Sequence, residues 1–305
     1  KVNADTRLVL QGEIDSRVPW TMGRPTWYVM EGSLDLNDPL VTSTGRYGKA
    51  GGRKANLVVN PDQLVPGQAM RLRLAVEDAN GESYSEVSFV VNTAPTSGNF
   101  EASPPNGTAL NTSFTLQVAG WADDPADQPL VYRFAYIDGE EQTEILINDY
   151  APSSAAQVLL PPGLAGVENA TAPDYEITLV AYIADKYGAA ARRETTVLVL
   201  PPETESADEL DAFAESALDN IVGASLDVGD TRKAGVALGA TLSLLNNANA
   251  SNAPPTRRRA QDSPEPEPEP ELGGGGNASL RERLVSSMVS IADQPPRTPI
   301  FFDVF

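Results

Sequence analysis

Two neighbouring stretches of the chain, residues 112–118 and 130–137, alternate apolar and polar side chains with a period of two. This period is typical of strands that bury one face. Trp121 and an acidic turn lie between the two stretches. The apolar residues of the first stretch and the aromatic row of the second are Phe114, Leu116, Val118, Tyr132, Phe134 and Tyr136. The pattern predicts the centre of a β-sandwich, with these aromatic side chains in its core rather than on a ligand-binding face.

The same plan recurs along the chain, because short strands separated by turn residues occur both in residues 5–93 and in residues 98–202. In each half a turn rich in Leu, Pro and Gly (residues 64–67 and 159–163) comes shortly before a long strand. Closely spaced turn signals of this kind are typical of antiparallel sandwiches. The Leu-x-Pro-Gly turn also resembles the corner of fibronectin type III domains. The predicted fold class is mainly β: two tandem antiparallel immunoglobulin- or fibronectin type III-like sandwiches followed by a small helical region.

The period becomes helical after the second sandwich. Ser206 and Glu209 have the spacing of a capping box, and further helices are predicted for residues 231–246 and 279–291. A run of alternating Pro and Glu followed by four Gly predicts a linker between these last two helices. The predicted segments are residues 1–94 and 95–202, one sandwich each; 203–247, a helical hairpin; 248–277, a disordered Pro/Glu/Gly linker; and 278–305, a helix with a truncated tail.

The charge and the missing residue types exclude several classes of function. The chain has 42 Asp and Glu against 22 Lys and Arg, a net charge of −20. A surface of this sign repels nucleic acid and anionic lipid, so we expect neither as a partner. The absence of Cys and His excludes disulfides, thiolate or imidazole metal sites and histidine-based triads.

Two further expectations concern catalysis and the membrane. No motif singles out a pair of catalytic carboxylates in this acidic sequence, so we predict that the protein is not an enzyme. No apolar run approaches the roughly 18 residues that cross a bilayer, so we predict no membrane span within the segment. The chain begins at Lys1 without an initiator Met, and we expect it to be a piece of a longer protein.

Five N-x-S/T sequons, more than the composition would supply by chance, predict an extracellular glycoprotein. N-glycans are added to such sites on exposed loops of secreted chains. The acceptor residues are Asn106, Asn111, Asn169, Asn249 and Asn277.

The acidic turn is a weak candidate for a metal site. Asp123, Asp124 and Asp127 supply three carboxylates within five residues, whereas Ca²⁺ takes six to eight oxygen ligands. The turn therefore falls short unless another loop contributes. We expect an ordinary solvated turn and no cofactor, with Ca²⁺ as the less favoured alternative.

A glycine-rich basic loop, residues 43–55, is the strongly positive segment of the first half of the chain. On an acidic protein such a loop is a candidate contact for a partner, and a surface loop without a partner is the simpler alternative. The basic residues proposed for the contact are Arg46, Lys49, Arg53 and Lys54.

A spaced set of residues in the middle of the chain resembles a known family. The set comprises Val91, Asn92, Pro95, Gly98, Pro104, Gly107, Ala109, Leu110, Thr112, Phe114, Gly120, Trp121, Asp123, Pro129, Leu130, Tyr132 and Phe134. In order and spacing it resembles the REJ (receptor for egg jelly) module of polycystin-1 and its relatives, over about residues 20–200. Family members often have Cys near the start of the set and near the Trp, and this chain has none.

The predicted helices also resemble the start of the autoproteolysis-inducing (GAIN) region that follows REJ in those proteins. The His-Leu motif with its nucleophilic Thr or Ser is missing, so self-cleavage is not predicted for this segment.

The resemblance implies the ectodomain of a cell-surface glycoprotein, often on a cilium or flagellum. Such a protein acts in adhesion, in ligand binding or in association with a polycystin-type channel, with other extracellular or membrane proteins as partners. Two alternatives remain open. A structural subunit of an extracellular filament or wall, such as an algal flagellar surface fibre, fits the Pro-Glu run and the sequons as well. A carbohydrate-binding or hydrolytic sandwich is the other.

Overall fold

The computed structural model of the chain describes residues 1–14, 24–47, 49–51, 54–78, 81–137, 143–164, 174–252, 283–285 and 287–288. The strands within these ranges are β1 (Leu8–Leu10), β2 (Thr26–Glu31), β3 (Lys49–Gly51), β4 (Lys54–Val59), β5 (Ala69–Asp78), β6 (Gly81–Val90), β7 (Asn99–Ser103), β8 (Asn106–Thr108), β9 (Ser113–Ala119), β10 (Val131–Ile137), β11 (Glu144–Leu146), β12 (Ala155–Leu159), β13 (Glu176–Ala184) and β14 (Ala190–Leu200). The helices are α1 (Ala207–Ala217), α2 (Ala224–Asp227) and α3 (Thr231–Asn252).

The chain divides into two compact units. The first consists of Lys1–Gly98, Gly120–Val131 and Ile183–Ala191, and the second of Asn99–Ala119, Tyr132–Tyr182 and Arg192–Phe305. The first unit thus includes the acidic turn and the tight turn between β13 and β14. The predicted domain boundaries stay predictions.

The first unit contains two three-stranded antiparallel sheets, with strand orders β1-β4-β3 and β2-β5-β6. Its apolar core has residues from both sheets, including Trp27 on β2, Leu57 on β4 and Leu72 on β5. Because one cluster joins the two sheets, the unit is a sandwich. The indole Nε1 of Trp27 donates to the Ala55 carbonyl oxygen at 2.8 Å, which satisfies the polar atom of this buried ring.

In the second unit a three-stranded sheet, β12-β9-β7, is accompanied by a five-stranded sheet, β11-β10-β13-β14-β8. Phe100 on β7 and Phe134 on β10 place their ring centroids 5.8 Å apart, which joins the two sheets. Phe114 and Leu116 on β9 are fully buried, as the two-residue period predicts. The short strand β8 pairs in parallel with β14. The prediction of a mainly β fold with tandem sandwiches is confirmed.

The helices of the second unit begin where the sequence predicts a cap. The Ser206 side chain accepts a hydrogen bond from the Glu209 backbone N–H at 3.2 Å, and the Glu209 side chain accepts from the N–H of Glu205 at 2.8 Å. A π-helical turn, Leu218–Gly223, follows α1. Among the described residues, no helix has the length and apolar character needed to cross a bilayer.

Buried apolar side chains of α1, α3 and the short helical stretch near Leu284 pack into one cluster. The helix predicted for residues 279–291 is described only at 283–285 and 287–288, where the backbone is helical. Helix α3 continues to Asn252, beyond the predicted end at residue 246. Most of the predicted linker lies outside the described residues.

Gly98 lies against the ring of Trp121, and this contact gives a physical reason for one spacing in the sequence pattern. A Cβ atom at position 98 would be 2.2 Å from two ring atoms of the indole. We expect Gly98→Ala to destabilise the protein by about 1–3 kcal/mol, because the ring must move to admit a methyl group. Chemical denaturation of the variant measures the loss. Gly81→Ala does not serve as a control because Gly81 has a positive φ of 120°. Gly235→Ala does, since its Cβ would meet nothing within 4 Å; there we expect no loss but a gain of about 1 kcal/mol, because Gly235 lies in helix α3.

Candidate functional sites

The basic loop contributes one arginine to an exposed aromatic surface of the first unit. The Arg46 guanidinium lies 5.4 Å from the ring centroid of Tyr28 and 5.7 Å from that of Tyr47. The Arg24 guanidinium also lies over the ring of Tyr47, 4.0 Å from its centroid. Tyr28 is 41% exposed and Tyr47 39% exposed. We call these four residues the arginine–tyrosine surface.

The charges of this surface are held against aromatic faces. Within the part of the chain that the structure describes, neither Arg24 nor Arg46 forms a salt bridge with a carboxylate. The Arg46 Nε atom is buried and has no hydrogen-bond partner there. Cation–π contacts at exposed sites are worth about 0.5–1 kcal/mol. They position the two guanidinium groups on the rings.

The structure describes the other predicted contact residues to different extents. Lys54 is exposed at the start of β4, and Lys49 is in β3, where only its backbone is described. Arg53 lies outside the described residues. The sequence reading missed Arg24, Tyr28 and Tyr47. The alternation of β2 was the available signal for Tyr28, since it follows the buried Trp27 and so faces the opposite side.

The acidic turn is joined by a carboxylate from a distant part of the chain. One carboxylate oxygen each from Asp123, Asp127 and Asp185 lies within 4.8 Å of the other two. Asp127 belongs to a 3-10 turn, Pro125–Asp127, and Asp185 directly follows β13. The Lys1 ammonium donates to Asp124 Oδ2 at 2.7 Å and to Asp127 Oδ2 at 2.5 Å, and these bonds raise the pKa of Lys1.

The turn is not the ordinary solvated loop that the sequence predicts. Asp127 is fully buried, with 0% exposure, because the 3-10 turn directs it inward, where its backbone carbonyl also accepts from the N–H of Lys186 at 3.1 Å. Burial, together with the nearby charges of Asp127 and Asp185, raises the pKa of Asp123. Burial penalises the charged form of a carboxyl group, and neighbouring negative charges add to this.

A polar network fixes Asp185 in place. Its Oδ1 accepts from the backbone N–H groups of Tyr187 at 2.8 Å and Ala189 at 3.0 Å, which closes the turn into β14. Its Oδ2 accepts from Nδ2 of Asn92 at 2.5 Å. The same Nδ2 donates to Oδ1 of Asn3 at 3.0 Å. Asn92 is a residue of the sequence pattern described above, and the network gives its side chain a structural role.

A second charged network lies in the second unit. The Tyr182 hydroxyl donates to Glu144 Oε2 at 2.6 Å, and Arg192 donates to Glu144 Oε1 at 2.9 Å. The hydrogen bond from Tyr182 and the pairing with Arg192 lower the pKa of Glu144. Arg192 also pairs with Glu194. The Arg133 guanidinium lies 4.5 Å from the Tyr182 ring centroid. Glu144, Tyr182 and Arg192 are thus bonded to one another across the five-stranded sheet, and these bonds stabilise the sheet. The Arg133 Nε atom is buried and has no hydrogen-bond partner among the described residues.

This network predicts a dependence of stability on pH. Because the folded-state pKa of Glu144 is below its usual value of 4.5, its contribution is present above that value and is lost as the pH falls through the folded-state pKa. We expect Tyr182→Phe to lower the free energy of unfolding by about 0.5–1 kcal/mol at neutral pH, since the carboxylate is partly exposed.

Urea denaturation of both proteins at neutral and at strongly acid pH measures this difference. The effect of Tyr182→Phe should become smaller in acid, where Glu144 is protonated and the hydrogen bond from Tyr182 loses its charged acceptor. Tyr187→Phe is the matched control, because Tyr187 is 43% exposed. An equal loss at both pH values would contradict the role given to Glu144.

A cavity of about 360 Å³ opens between α3 and β12 in the second unit. Its lining is mainly apolar, and its charged residues include Asp149 and Arg232, which form a salt bridge at 2.6 Å. The two charges neutralise each other at the surface. Asp230 and Lys233 are the other charged residues of its lining.

Two of the predicted glycan acceptors can be placed. Asn106 at the start of β8 and Asn111 before β9 are both exposed. For Asn249 only the helical backbone is described, and Asn169 and Asn277 lie outside the described residues. Asn106 lies on a short strand, where a loop was expected.

Comparison with known proteins gives a family and distant structural likenesses. The family model of the REJ domain matches residues 1–240. A search of curated proteins finds no significant match. The titin domains Z1Z2 in complex with telethonin are 13% identical, with 66% of this chain and 92% of that chain covered and a TM-score of 0.27. An I-band fragment of titin is also 13% identical, with 66% and 62% covered and a TM-score of 0.30.

The family match includes both sandwiches and the beginning of the helices, and its extent is well over half of the 305 residues. It includes the whole of the spaced set from Val91 to Phe134. The GAIN-like assignment of the helices stays a prediction. The chain belongs to the REJ domain family, as the spacing of that set predicts.

Proposed function

We propose that this chain is a non-enzymatic recognition segment from the ectodomain of a polycystin-1-like cell-surface glycoprotein. The REJ family match over residues 1–240 is the observation that carries the proposal. On this proposal the protein works at the cell surface, on a cilium or flagellum, through adhesion to or binding of other extracellular or membrane proteins. A polycystin-type channel is one of the partners that would suit this role.

The arginine–tyrosine surface is the contact that we assign to a protein partner. Tyr and Arg are the side chains that dominate the energetics of many protein interfaces, because each combines a large contact area with directed donors. Arg24 and Arg46 are preorganised on the rings of Tyr28 and Tyr47. A positive patch on a protein of net charge −20 favours an acidic patch on the partner.

A non-enzymatic role agrees with the chemistry of the described residues. In the second unit, Glu144 accepts from Tyr182 and pairs with Arg192, and Asp149 pairs with Arg232. These features support binding over catalysis.

The proposal is tested by binding of the purified, fluorescently labelled chain to intact cells of its own source. We expect saturable binding that unlabelled chain displaces. Arg46→Glu and Arg24→Glu should each weaken binding by tenfold or more, on the order expected for a charge reversal at an interface centre. Arg7→Glu makes the same charge change at an exposed residue of the same unit and should leave binding unchanged.

Two outcomes would contradict the proposal. Equal binding by Arg46→Glu and Arg7→Glu would show that the arginine–tyrosine surface does not contact the partner. Self-assembly of the purified chain into filaments without binding to cells would favour the alternative of a structural subunit.

A further inference from the structure

We propose that Asp123, Asp127 and Asp185 form a Ca²⁺-binding site in the first unit, a site that goes beyond the proposed recognition function. The first observation is convergence: one oxygen from each carboxylate lies within 4.8 Å of the other two. Ligands on opposite sides of a Ca²⁺ ion, each at about 2.3–2.6 Å, are about 4.6–5.2 Å apart. The three oxygens are therefore close enough to share one ion.

The second observation is independent of the clustering and concerns unsatisfied buried oxygens. Asp127 is fully buried, and its Oδ1 has no hydrogen-bond partner among the described residues. Asp123 is only half buried, but its Oδ2 atom is buried and also has no hydrogen-bond partner there. The buried Oδ1 of Asn92 has none either, and the Nδ2 of this 2% exposed residue donates to Asp185. A buried polar oxygen without a partner is destabilising. A cation bound between the three carboxylates would supply a partner for the unsatisfied oxygens of Asp123 and Asp127.

The charge balance favours a divalent ion. Four carboxylates, those of the cluster and that of Asp124, are met by one side-chain ammonium, that of Lys1. The ammonium contacts Asp124 and Asp127 and leaves Asp123 and Asp185 without a cationic contact in the described residues. All the available donors are oxygens, which Ca²⁺ prefers. Mg²⁺ requires shorter bonds and near-octahedral geometry, so we expect it to bind more weakly.

Lys1 and Ca²⁺ compete for the same carboxylate in this arrangement. The ammonium lies 2.5 Å from Asp127 Oδ2, and an ion bound at the cluster would be repelled by it. This competition gives the proposal a signature that a purely structural role of the aspartates does not share. Removal of the Lys1 charge should strengthen binding of Ca²⁺, on the order of tenfold for a neighbouring unit charge.

The test uses the full 305-residue chain, with calorimetry for Ca²⁺ and luminescence of Tb³⁺ excited through Trp121, which is two residues from Asp123. We expect one saturable site with a Kd on the order of 10⁻⁴–10⁻³ M, as in extracellular modules. Ca²⁺ should displace Tb³⁺. Asp127→Asn and Asp123→Asn should weaken binding by about tenfold or more, and Lys1→Gln should strengthen it. Asp5→Asn, an exposed aspartate of the same unit, should bind as the unchanged protein does.

Circular dichroism of each variant without metal separates loss of binding from loss of folding. Should Asp127→Asn fail to fold, Asp123→Asn and Lys1→Gln still decide the question, because the side chains of Asp123 and Lys1 are only partly buried. Absence of saturable binding at millimolar Ca²⁺ would overturn the proposal. So would binding that Asp123→Asn leaves unchanged, or binding that Lys1→Gln weakens.

Discussion

Phe134→Ala is expected to destabilise the protein by about 3–5 kcal/mol, since Phe134 is fully buried and the truncation leaves a cavity. The ring also lies 5.8 Å from that of Phe100, centroid to centroid. Loss of the ring removes both the buried apolar area and the contact that joins the two sheets of the second unit. Denaturation in guanidinium chloride, followed by circular dichroism, measures the change in the free energy of unfolding.

The matched control for this position is Leu198→Ala, on a residue of β14 that is 38% exposed. We expect a loss of less than about 1 kcal/mol there, because truncation of a partly exposed side chain removes less buried apolar area. A loss at Phe134 no larger than the loss at Leu198 would mean that β7 and β10 do not face each other across a packed core.

Trp27→Ala is expected to have an effect of similar size in the first unit, again about 3–5 kcal/mol. Trp27 is 5% exposed and belongs to the cluster that joins the two sheets of this unit. Trp27→Phe separates the two contributions of the indole. It keeps an aromatic ring but leaves the Ala55 carbonyl without its 2.8 Å hydrogen bond, and a buried acceptor of this kind costs about 1–3 kcal/mol when unpaired.

Both Trp27 variants are compared with Leu40→Ala, at a residue that is 76% exposed, for which we expect a change within about 0.5 kcal/mol. The expected order of stability is Leu40→Ala, then Trp27→Phe, then Trp27→Ala. Equal stability of the two Trp27 variants would show that the ring itself contributes nothing, in conflict with the sandwich described for this unit.

The strands with a clear two-residue period were predictable from the sequence because alternation is a local property. The stretch at residues 112–118 became β9, and the apolar side of that stretch is the buried side. The capping box at Ser206 was predictable for the same reason. The short strand β8 and its parallel pairing with β14 were not, since a three-residue strand has no period and its partner is far along the chain.

The candidate sites were predictable only in part, for a related reason. The basic loop, which includes Tyr47, was visible as a local run, yet Arg46 also contacts the ring of Tyr28 on β2, which is distant in the sequence. The acidic turn was visible too, but Asp185 lies beside it only in the folded chain. Asp185 is in turn bonded to Asn92, which is 93 positions away in the sequence. Three Asp within five residues predict a solvated turn, because nothing in that stretch of sequence shows that the side chain of Asp127 is buried. Only tertiary packing decides that.

Glycan mapping of the native protein is the sharpest test of our proposal that this REJ segment works outside the cell. Asn106 and Asn111 are exposed acceptors in sequons, so both should carry N-glycans when the chain passes through the secretory pathway. Mass spectrometry of peptides from native material, before and after glycosidase treatment, measures the occupancy of each site. We predict modified asparagine at both positions. Unmodified asparagine at both would contradict the account.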